Sequence, residues 1–181
     1  MNDLENLIQR GVINAHRQYQ KMTDYWLSHA PESFLTVVIA QEIVKANYAV
    51  YIDTSLKRIL KDATTHKGAI PSALGNRSDI SVWYRTKDSI RAAIEVKRAY
   101  SAPPVSRDAK KLARIVGLKK GPKTGYIVAY SESKSRYQID TLNTRFRNWS
   151  TLTGWQLISS YVDKEKDSDN WNWGFCILRS P

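Results

Sequence analysis

Residues 78–98 read SDISVWYRTKDSIRAAIEVKR, and this stretch decides the fold of the middle of the chain. Residues 79–85 and 89–100 are rich in apolar, β-branched and aromatic side chains, and a polar turn at 86–89 joins them. This pattern predicts two antiparallel strands that form a hairpin. Because paired antiparallel strands run in opposite directions, the start of the first strand lies beside the end of the second. The hairpin is therefore expected to bring residue 79 close to residues 95–97.

Periodicity and turn signals predict the remaining elements. They are helices at 3–28, about 31–46, 106–116 and 134–150, and strands at 48–53, 125–130, 155–162 and 171–179. Residues 55–66 fit an irregular helix or a long loop, and Ala102-Pro103-Pro104 breaks the sheet. The order α-α-β-β-β-α-β-α-β-β predicts an α/β fold, with a mixed central sheet flanked by helices. Residues 1–30 are expected to form an N-terminal helical extension and residues 31–181 the α/β domain, in one compact unit.

The charge of the chain favours a polyanionic partner. The formal net charge is +11, from 28 Lys and Arg against 17 Asp and Glu. Such an excess favours nucleic acid or an anionic surface, and the alternative is a charge that only aids solubility. No apolar run approaches the ~20 residues that span a bilayer. The polar start MNDLENLIQR is also unlike a secretory signal, so no membrane partner is expected.

Cysteine and histidine give little support to a zinc site. Cys176 is the only cysteine, which excludes an intramolecular disulfide and a cysteine-based zinc cluster. This usage fits a reducing cytoplasm, and we expect a cytoplasmic location. His16, His29 and His66 are scattered along the chain without metal-ligand spacing, so packing or surface positions are expected for them.

The residues with the strongest chemical pattern are Asp79, Glu95 and Lys97. Residues i and i+2 of a strand face the same side, so Glu95 and Lys97 share a face while Val96 packs on the other. Two carboxylates are hard oxygen ligands suited to Mg²⁺, with Mn²⁺ as a substitute. Such an ion activates water and offsets charge on a phosphodiester, and a neighbouring ammonium aids both tasks. The alternative is a cross-strand salt bridge on a solvated face.

The sequence context distinguishes Glu95-Val96-Lys97 from two similar triplets. Asp108-Ala109-Lys110 lies near the start of a predicted helix, where an acid is favoured anyway. Glu132-Ser133-Lys134 lies in a polar segment predicted to be a loop. Only residues 95–97 continue an apolar strand and have an acid on the partner strand. A charged pair directly after such an apolar run is costly unless it has a partner or a function.

Asp79, Glu95 and Lys97, on adjacent strands that follow a helix, resemble the motif of the PD-(D/E)XK nuclease superfamily. The α-β-β-β-α-β core of that superfamily, the restriction-endonuclease-like fold, can be laid over residues 31–130 in order. Ser78 stands where the motif has proline, which leaves the acid in place. The resemblance implies the fold, a divalent metal and phosphodiester hydrolysis more firmly than it implies a substrate.

The resemblance also implies an acid on the first core helix that faces the metal. Glu32 shares a helical stripe with Thr36, Ile39 and Ile43, the stripe expected to face the sheet. Glu42 lies about 80° away from that stripe, at 100° per residue. Glu32 is therefore the favoured fourth catalytic residue. An equally weighted alternative is an acid that offsets the dipole at the helix N-terminus.

The basic side chains are concentrated between residues 107 and 147, where eleven Lys and Arg face three acids. This part of the chain is the best candidate for contact with a phosphate backbone, although a solvated face is the commoner role of a charge run. The candidate nucleic-acid-binding residues are Arg77, Arg98, Lys110, Lys111, Arg114, Lys119 and Lys120. The late tryptophans, including Trp171 and Trp173, are expected in the core or at a dimer interface, and stacking on bases is the alternative.

These observations lead to one main hypothesis and two alternatives. The main hypothesis is a metal-dependent endonuclease that cuts DNA in restriction, repair or defence and forms a homodimer. The first alternative is a nucleic-acid-binding module on the same fold with weak or no cleavage. The second is a relative that cuts RNA, because nothing in the sequence separates DNA from RNA.

Overall fold

A computed structural model describes residues 2–55, 77–86, 89–118, 121–134, 138–163 and 171–181. The helices are α1 (Asp3–Thr23), α2 (Glu32–Lys45), α3 (Ala102–Ala113) and α4 (Gln138–Thr153), with a 3₁₀ turn at Leu27–His29. The strands are β1 (Tyr48–Ser55), β2 (Arg77–Tyr84), β3 (Ile90–Arg98), β4 (Thr124–Lys134), β5 (Gln156–Val162) and β6 (Trp171–Arg179). The predicted α/β class and the predicted order of elements are confirmed. Of the segment predicted at 55–66, only Ser55 is described, as the last residue of β1, and residues 56–76 lie outside the described residues.

The described strands form one mixed six-stranded sheet in the order β1-β2-β3-β4-β6-β5. The predicted hairpin is present, because β2 and β3 pair antiparallel with Ile80 opposite Ile94. Strands β3 and β4 pair in parallel, with Glu95 opposite Ile127. A parallel pair needs a crossover connection, and α3 provides it. The end of β3 and the helix that follows it therefore lie together near the middle of the sheet.

The N-terminal helix is shorter than predicted. It begins with a capping box, in which the Asn2 side chain accepts from the Glu5 N–H and the Glu5 carboxylate accepts from the Asn2 N–H. It ends at Thr23, because Asp24 adopts a left-handed conformation with φ of 59° and its N–H bonds to the Gln20 carbonyl. The prediction of a helix to residue 28 was therefore wrong. The periodicity of the side chains does not reveal a left-handed cap at an aspartate.

Helix α3 begins four residues earlier than predicted. Pro103 and Pro104 lie in its first turn, where a missing N–H removes no helical hydrogen bond. Strand β4 is longer than predicted, because its pairing with β6 continues to Lys134 opposite Trp171. The segment 132–134 is consequently part of a strand, which corrects its prediction as a loop. Helix α4 is described from Gln138 instead of 134.

Apolar side chains fill both sides of the sheet. On one side, α1 and α2 pack over a cluster that includes Leu4, Ile8, Ile39, Val96 and Phe175. The helix that the sequence set apart as an N-terminal extension thus contributes to the same core as the sheet. On the other side, α3 and α4 cover a second cluster, which includes the following residues: Ala93, Leu112, Ile127, Phe146 and Trp149.

Three of the late tryptophans confirm the packing interpretation, whereas Trp171 is only half-buried. Trp149, Trp155 and Trp173 are buried in the core. Trp173 stacks on His16 with 4.0 Å between ring centroids, so it faces α1 and not a subunit interface. The Lys134 ammonium lies 5.8 Å from the ring of Trp171. Among the described helices, none has the length and apolar character needed to cross a membrane.

Candidate functional site

The hairpin places Asp79 beside the end of β3. Its Oδ2 accepts a hydrogen bond from the backbone N–H of Val96, with 2.7 Å between the atoms. The Val96 side chain points into the core under α1 and α2. Its neighbours Glu95 and Lys97 point to the opposite face, as the strand alternation predicts. The sequence pattern therefore positions an acid of β2 against an acid and a lysine of β3.

Glu95 is a buried carboxylate with an unusual environment. Its residue is only 2% exposed. One oxygen, Oε2, accepts from the Lys111 ammonium at 2.5 Å, while Oε1 is buried without a hydrogen-bond partner among the described residues. Burial, followed by the negative charge of Asp79, raises the pKa of Glu95 to about 8, and Lys111 acts in the opposite direction. Burial is therefore the main reason why the Glu95 carboxyl group resists ionisation, even with the Lys111 ammonium beside it.

Asp79 shows the same imbalance to a smaller degree. Burial raises the pKa of its carboxyl group, against the opposing effects of the Val96 N–H, Lys111 and Lys97. Neighbouring carboxyl groups that are both buried and both resist ionisation are typical of sites that bind a cation or a proton.

Lys97 is held by two acids other than Glu95. Its Nζ lies 3.1 Å from Glu32 Oε2 and 3.8 Å from Asp108 Oδ2. Burial alone would lower the pKa of Lys97, but Glu32 and Asp108 outweigh it and the pKa is raised. The ammonium is therefore charged and fixed at the edge of the carboxylate site.

The structure places Glu32, and not Glu42, at this site. Glu32 is the first residue of α2, and its Oε1 also accepts the backbone N–H of Arg98 at 2.8 Å. Glu42 pairs instead with Lys45 at 2.5 Å and lies 3.9 Å from Arg10. The helical stripe that favoured Glu32 in the sequence thus leads to the acid that contacts Lys97, and its catalytic role stays a prediction.

Sequence reasoning missed Asp108, and it did not predict the contact of Lys111 with Glu95. Asp108 is only 8% exposed, and it lies 3.8 Å from both Lys97 and Lys111. Asp108 was interpreted as an acid near the start of a helix because α3 was predicted to begin at residue 106. The helix begins at Ala102, and Asp108 is its seventh residue. Lys111 was assigned to nucleic acid, yet its ammonium lies against Glu95. The sequence does contain a signal, since Asp108 shares the apolar stripe of Val105 and Leu112.

The other candidate nucleic-acid-binding residues fall into three groups. Arg77 is exposed and pairs with Asp53, with 2.5 Å between Nε and Oδ1. Arg98 donates through Nη1 to the Ser28 carbonyl at 2.9 Å. Both side chains therefore bind the protein itself. Lys110 is exposed on α3 and Arg114 is exposed at the C-cap of that helix, while residues 119 and 120 lie outside the described residues.

The carboxylate pair fits the divalent ion that the sequence motif implies. Glu95 Oε1 is a buried acceptor without a partner in the part of the chain that the structure describes, and Asp79 and Glu95 supply the hard oxygen atoms that Mg²⁺ prefers. Within the described ranges, no group of three or more His, Cys, Asp or Glu side chains has the geometry of a metal site. Mg²⁺ usually keeps several waters and takes one or two protein carboxylates, so two ligands are compatible with it.

Comparisons of this chain with family models, with curated proteins and with solved structures give no match. The geometry of the site and the charge of the chain are therefore the features that point to a function.

Proposed function

We propose that this protein is a divalent-metal-dependent nuclease that hydrolyses phosphodiester bonds, with DNA as its substrate. The observation that carries the proposal is the buried Glu95 carboxylate beside Asp79, with one oxygen that lacks a partner. Structural ion pairs also bury carboxylates, but they rarely leave a buried oxygen unsatisfied. The net charge of +11 adds a reason for a polyanionic substrate.

The residues of the site have separate roles in this proposal. Asp79 and Glu95 would hold Mg²⁺, or Mn²⁺ in its place, and the bound ion would supply an activated water and Lewis-acid stabilisation of the phosphate. The Lys97 ammonium, fixed by Glu32, would stabilise charge that develops on the phosphate. Lys110 and Arg114 would bind the flanking phosphates from the exposed face of α3.

The experiment compares cleavage by wild type, Asp79→Asn and Glu95→Gln. Substrates are plasmid DNA, single-stranded DNA and RNA, each with Mg²⁺, with Mn²⁺ or with a chelator. Glu42→Gln is the matched control, because Glu42 is also a buried carboxylate paired with a lysine but lies away from the site. We expect metal-dependent cleavage that both site variants lose and the control retains. Cleavage by Glu95→Gln at the rate of wild type, or cleavage that continues in the presence of the chelator, would contradict the proposal.

One observation favours a second candidate, a nucleic-acid-binding module without cleavage. The pairs Lys111–Glu95 and Lys97–Glu32 partly neutralise the site from within. A site of this kind could be retained for stability while the basic surface binds nucleic acid. Binding without cleavage under every metal tested would support this candidate, and cleavage of RNA alone would change the proposed substrate.

The proposal extends to the assembly and location of the protein. A homodimer would bring two sites to the two strands of a duplex, and light scattering at several concentrations tests for it. The single thiol, Cys176, is buried and burial raises its pKa, which suits a reducing cytoplasm but does not require one.

A further inference from the structure

The two lysines of the site differ in what surrounds them. Lys97 lies against Glu32 and Asp108 at the edge of the carboxylate pair. Lys111 reaches from α3 into the pair itself, and its side chain is only 16% exposed. Its ammonium is 2.5 Å from Glu95 Oε2, one of the two proposed metal ligands. The lysine of the sequence motif is therefore not the one that touches the metal-binding carboxylate.

The polar contacts that the described residues make with the Lys111 ammonium are to three oxygens. They are Glu95 Oε2 at 2.5 Å, the main-chain carbonyl of Arg77 at 3.1 Å and Asp108 Oδ1 at 3.8 Å. Carboxylate and main-chain carbonyl oxygens are also the ligands that hard divalent cations take. The ammonium consequently occupies the kind of position that a divalent cation would occupy.

The lysine side chain can leave this position without disturbing the fold. Helix α3 is fixed on the sheet by Val105, Ala109 and Leu112, which are buried in the core. The flexible four-carbon chain of Lys111 can change its rotamer while the helix stays in place. A charge of +2 at the same oxygens neutralises two carboxylates, whereas the ammonium neutralises one.

We propose that Lys111 is the internal counter-cation of the Asp79–Glu95 pair, and that a divalent ion binds Glu95 only by displacing the Lys111 ammonium. The inference rests on the proposed metal site and adds a regulatory contact to it. The displaced ammonium stays attached to α3, on the helix that also presents Lys110 and Arg114 to solvent. It then becomes available to a phosphate, so occupation of the site by metal prepares the helix for the substrate.

The experiment measures the affinity for Mn²⁺ by calorimetry, without substrate, in wild type and three variants. Lys111→Met, Lys97→Met and Lys110→Met each remove one positive charge and keep a long side chain. We expect Lys111→Met to bind Mn²⁺ about tenfold more tightly than wild type, because the competing ammonium is gone. Lys97→Met and Lys110→Met should change the affinity by about twofold or less, since only a more distant charge is lost.

A second variant at the same position keeps the inference testable if Lys111→Met does not fold. Lys111→Gln keeps a hydrogen-bond donor near Glu95 but no charge, and thermal unfolding with and without Mn²⁺ reports on the same competition. Equal affinities in the Lys111 and Lys97 variants, weaker binding in the Lys111 variants, or no binding of Mn²⁺ in any variant would overturn the inference. Tighter binding without cleavage of any substrate would instead overturn the nuclease and leave the inference standing. Metal-dependent cleavage without tighter binding of Mn²⁺ in the Lys111 variants would overturn the inference and leave the nuclease proposal standing.

Discussion

Lys97 on β3 donates a hydrogen bond to Glu32 at the first residue of α2, with 3.1 Å between Nζ and Oε2. The same carboxylate accepts the backbone N–H of Arg98 through its other oxygen. One side chain thus ties the start of a helix to the end of a strand from the central hairpin. Because Glu32 uses both oxygens, it fixes the direction of the Lys97 side chain as well as its charge.

Replacement of Glu32 should reduce cleavage without loss of the metal. In Glu32→Ala the Lys97 ammonium loses its direct partner, and we expect the single-turnover rate to fall by about 10- to 100-fold from misplacement of the charge. Glu32→Gln keeps an acceptor for Lys97, so its single-turnover rate should lie between the rates of Glu32→Ala and wild type. Affinity for Mn²⁺ should stay within about twofold, because Glu32 is not a proposed ligand. An unchanged rate in Glu32→Ala would show that the contact has no role in cleavage.

The hairpin and its two acids could be predicted from sequence because local rules govern them. The alternation that turns Val96 into the core also turns Glu95 away from it, and the turn fixes which end of β2 meets β3. The partner of Glu95 could not be predicted in this way. Lys111 reaches Glu95 only because α3 crosses the sheet at one position, and that position depends on packing between distant segments.

The error at Asp108 has a related origin. The two prolines were read as a break between the sheet and the helix, although the first turn of a helix accommodates them. With the start of α3 displaced by four residues, a buried acid in the middle of the helix was taken for an acid near its beginning. A helical wheel drawn from Ala102 would have shown Asp108 on the apolar stripe.

Lys110 and Arg114 should contribute to DNA binding through charge alone. Lys110 is exposed on α3 and Arg114 at its C-cap, so each can release one condensed counterion from a phosphate. In Lys110→Gln/Arg114→Gln, the slope of log affinity against log salt should fall by about one for each side chain. Fluorescence anisotropy with duplex DNA, in the presence of a chelator and at several salt concentrations, measures this slope. Lys21→Gln, an exposed lysine at the end of α1, is the control and should leave the slope unchanged. An unaltered slope in the double variant would contradict a contact between α3 and the DNA.

Gly11 tests whether α1 belongs to the core. A Cβ atom at this glycine would lie 2.7 Å from the Cα of Ile39, so α1 and α2 would have to separate. We expect Gly11→Ala to lower the free energy of unfolding by about 1–3 kcal/mol, despite the better helix propensity of alanine. Urea denaturation measures the change, and Gln18→Ala on the exposed face of α1 is the control. A more stable Gly11→Ala would mean that the two helices do not pack this closely.

His16 gives the fold a dependence on pH that is separate from the carboxylate site. It is buried against Trp173, its Nε2 lies 3.8 Å from Asp163 Oδ2, and its Nδ1 has no hydrogen-bond partner among the described residues. Burial lowers the pKa of His16 from its usual 6.5, Asp163 opposes this effect and Arg17 adds to it. The native state therefore keeps the ring neutral at a pH where the unfolded chain protonates it.

The sign of the resulting effect follows from proton binding. As the pH falls below 6.5, the unfolded chain takes up a proton at His16 and the native state does not, so the free energy of unfolding decreases. Glu95 acts in the opposite sense, because its raised pKa makes the native state bind the extra proton. The comparison must therefore be made between variants. We expect the loss of stability between pH 7.5 and 5.5 to be smaller in His16→Phe than in wild type. His29→Gln, which removes an exposed histidine, should match wild type. Urea denaturation at both pH values measures the free energy of unfolding. An equal loss of stability in His16→Phe and in wild type would show that the His16 ring does not titrate as its burial requires.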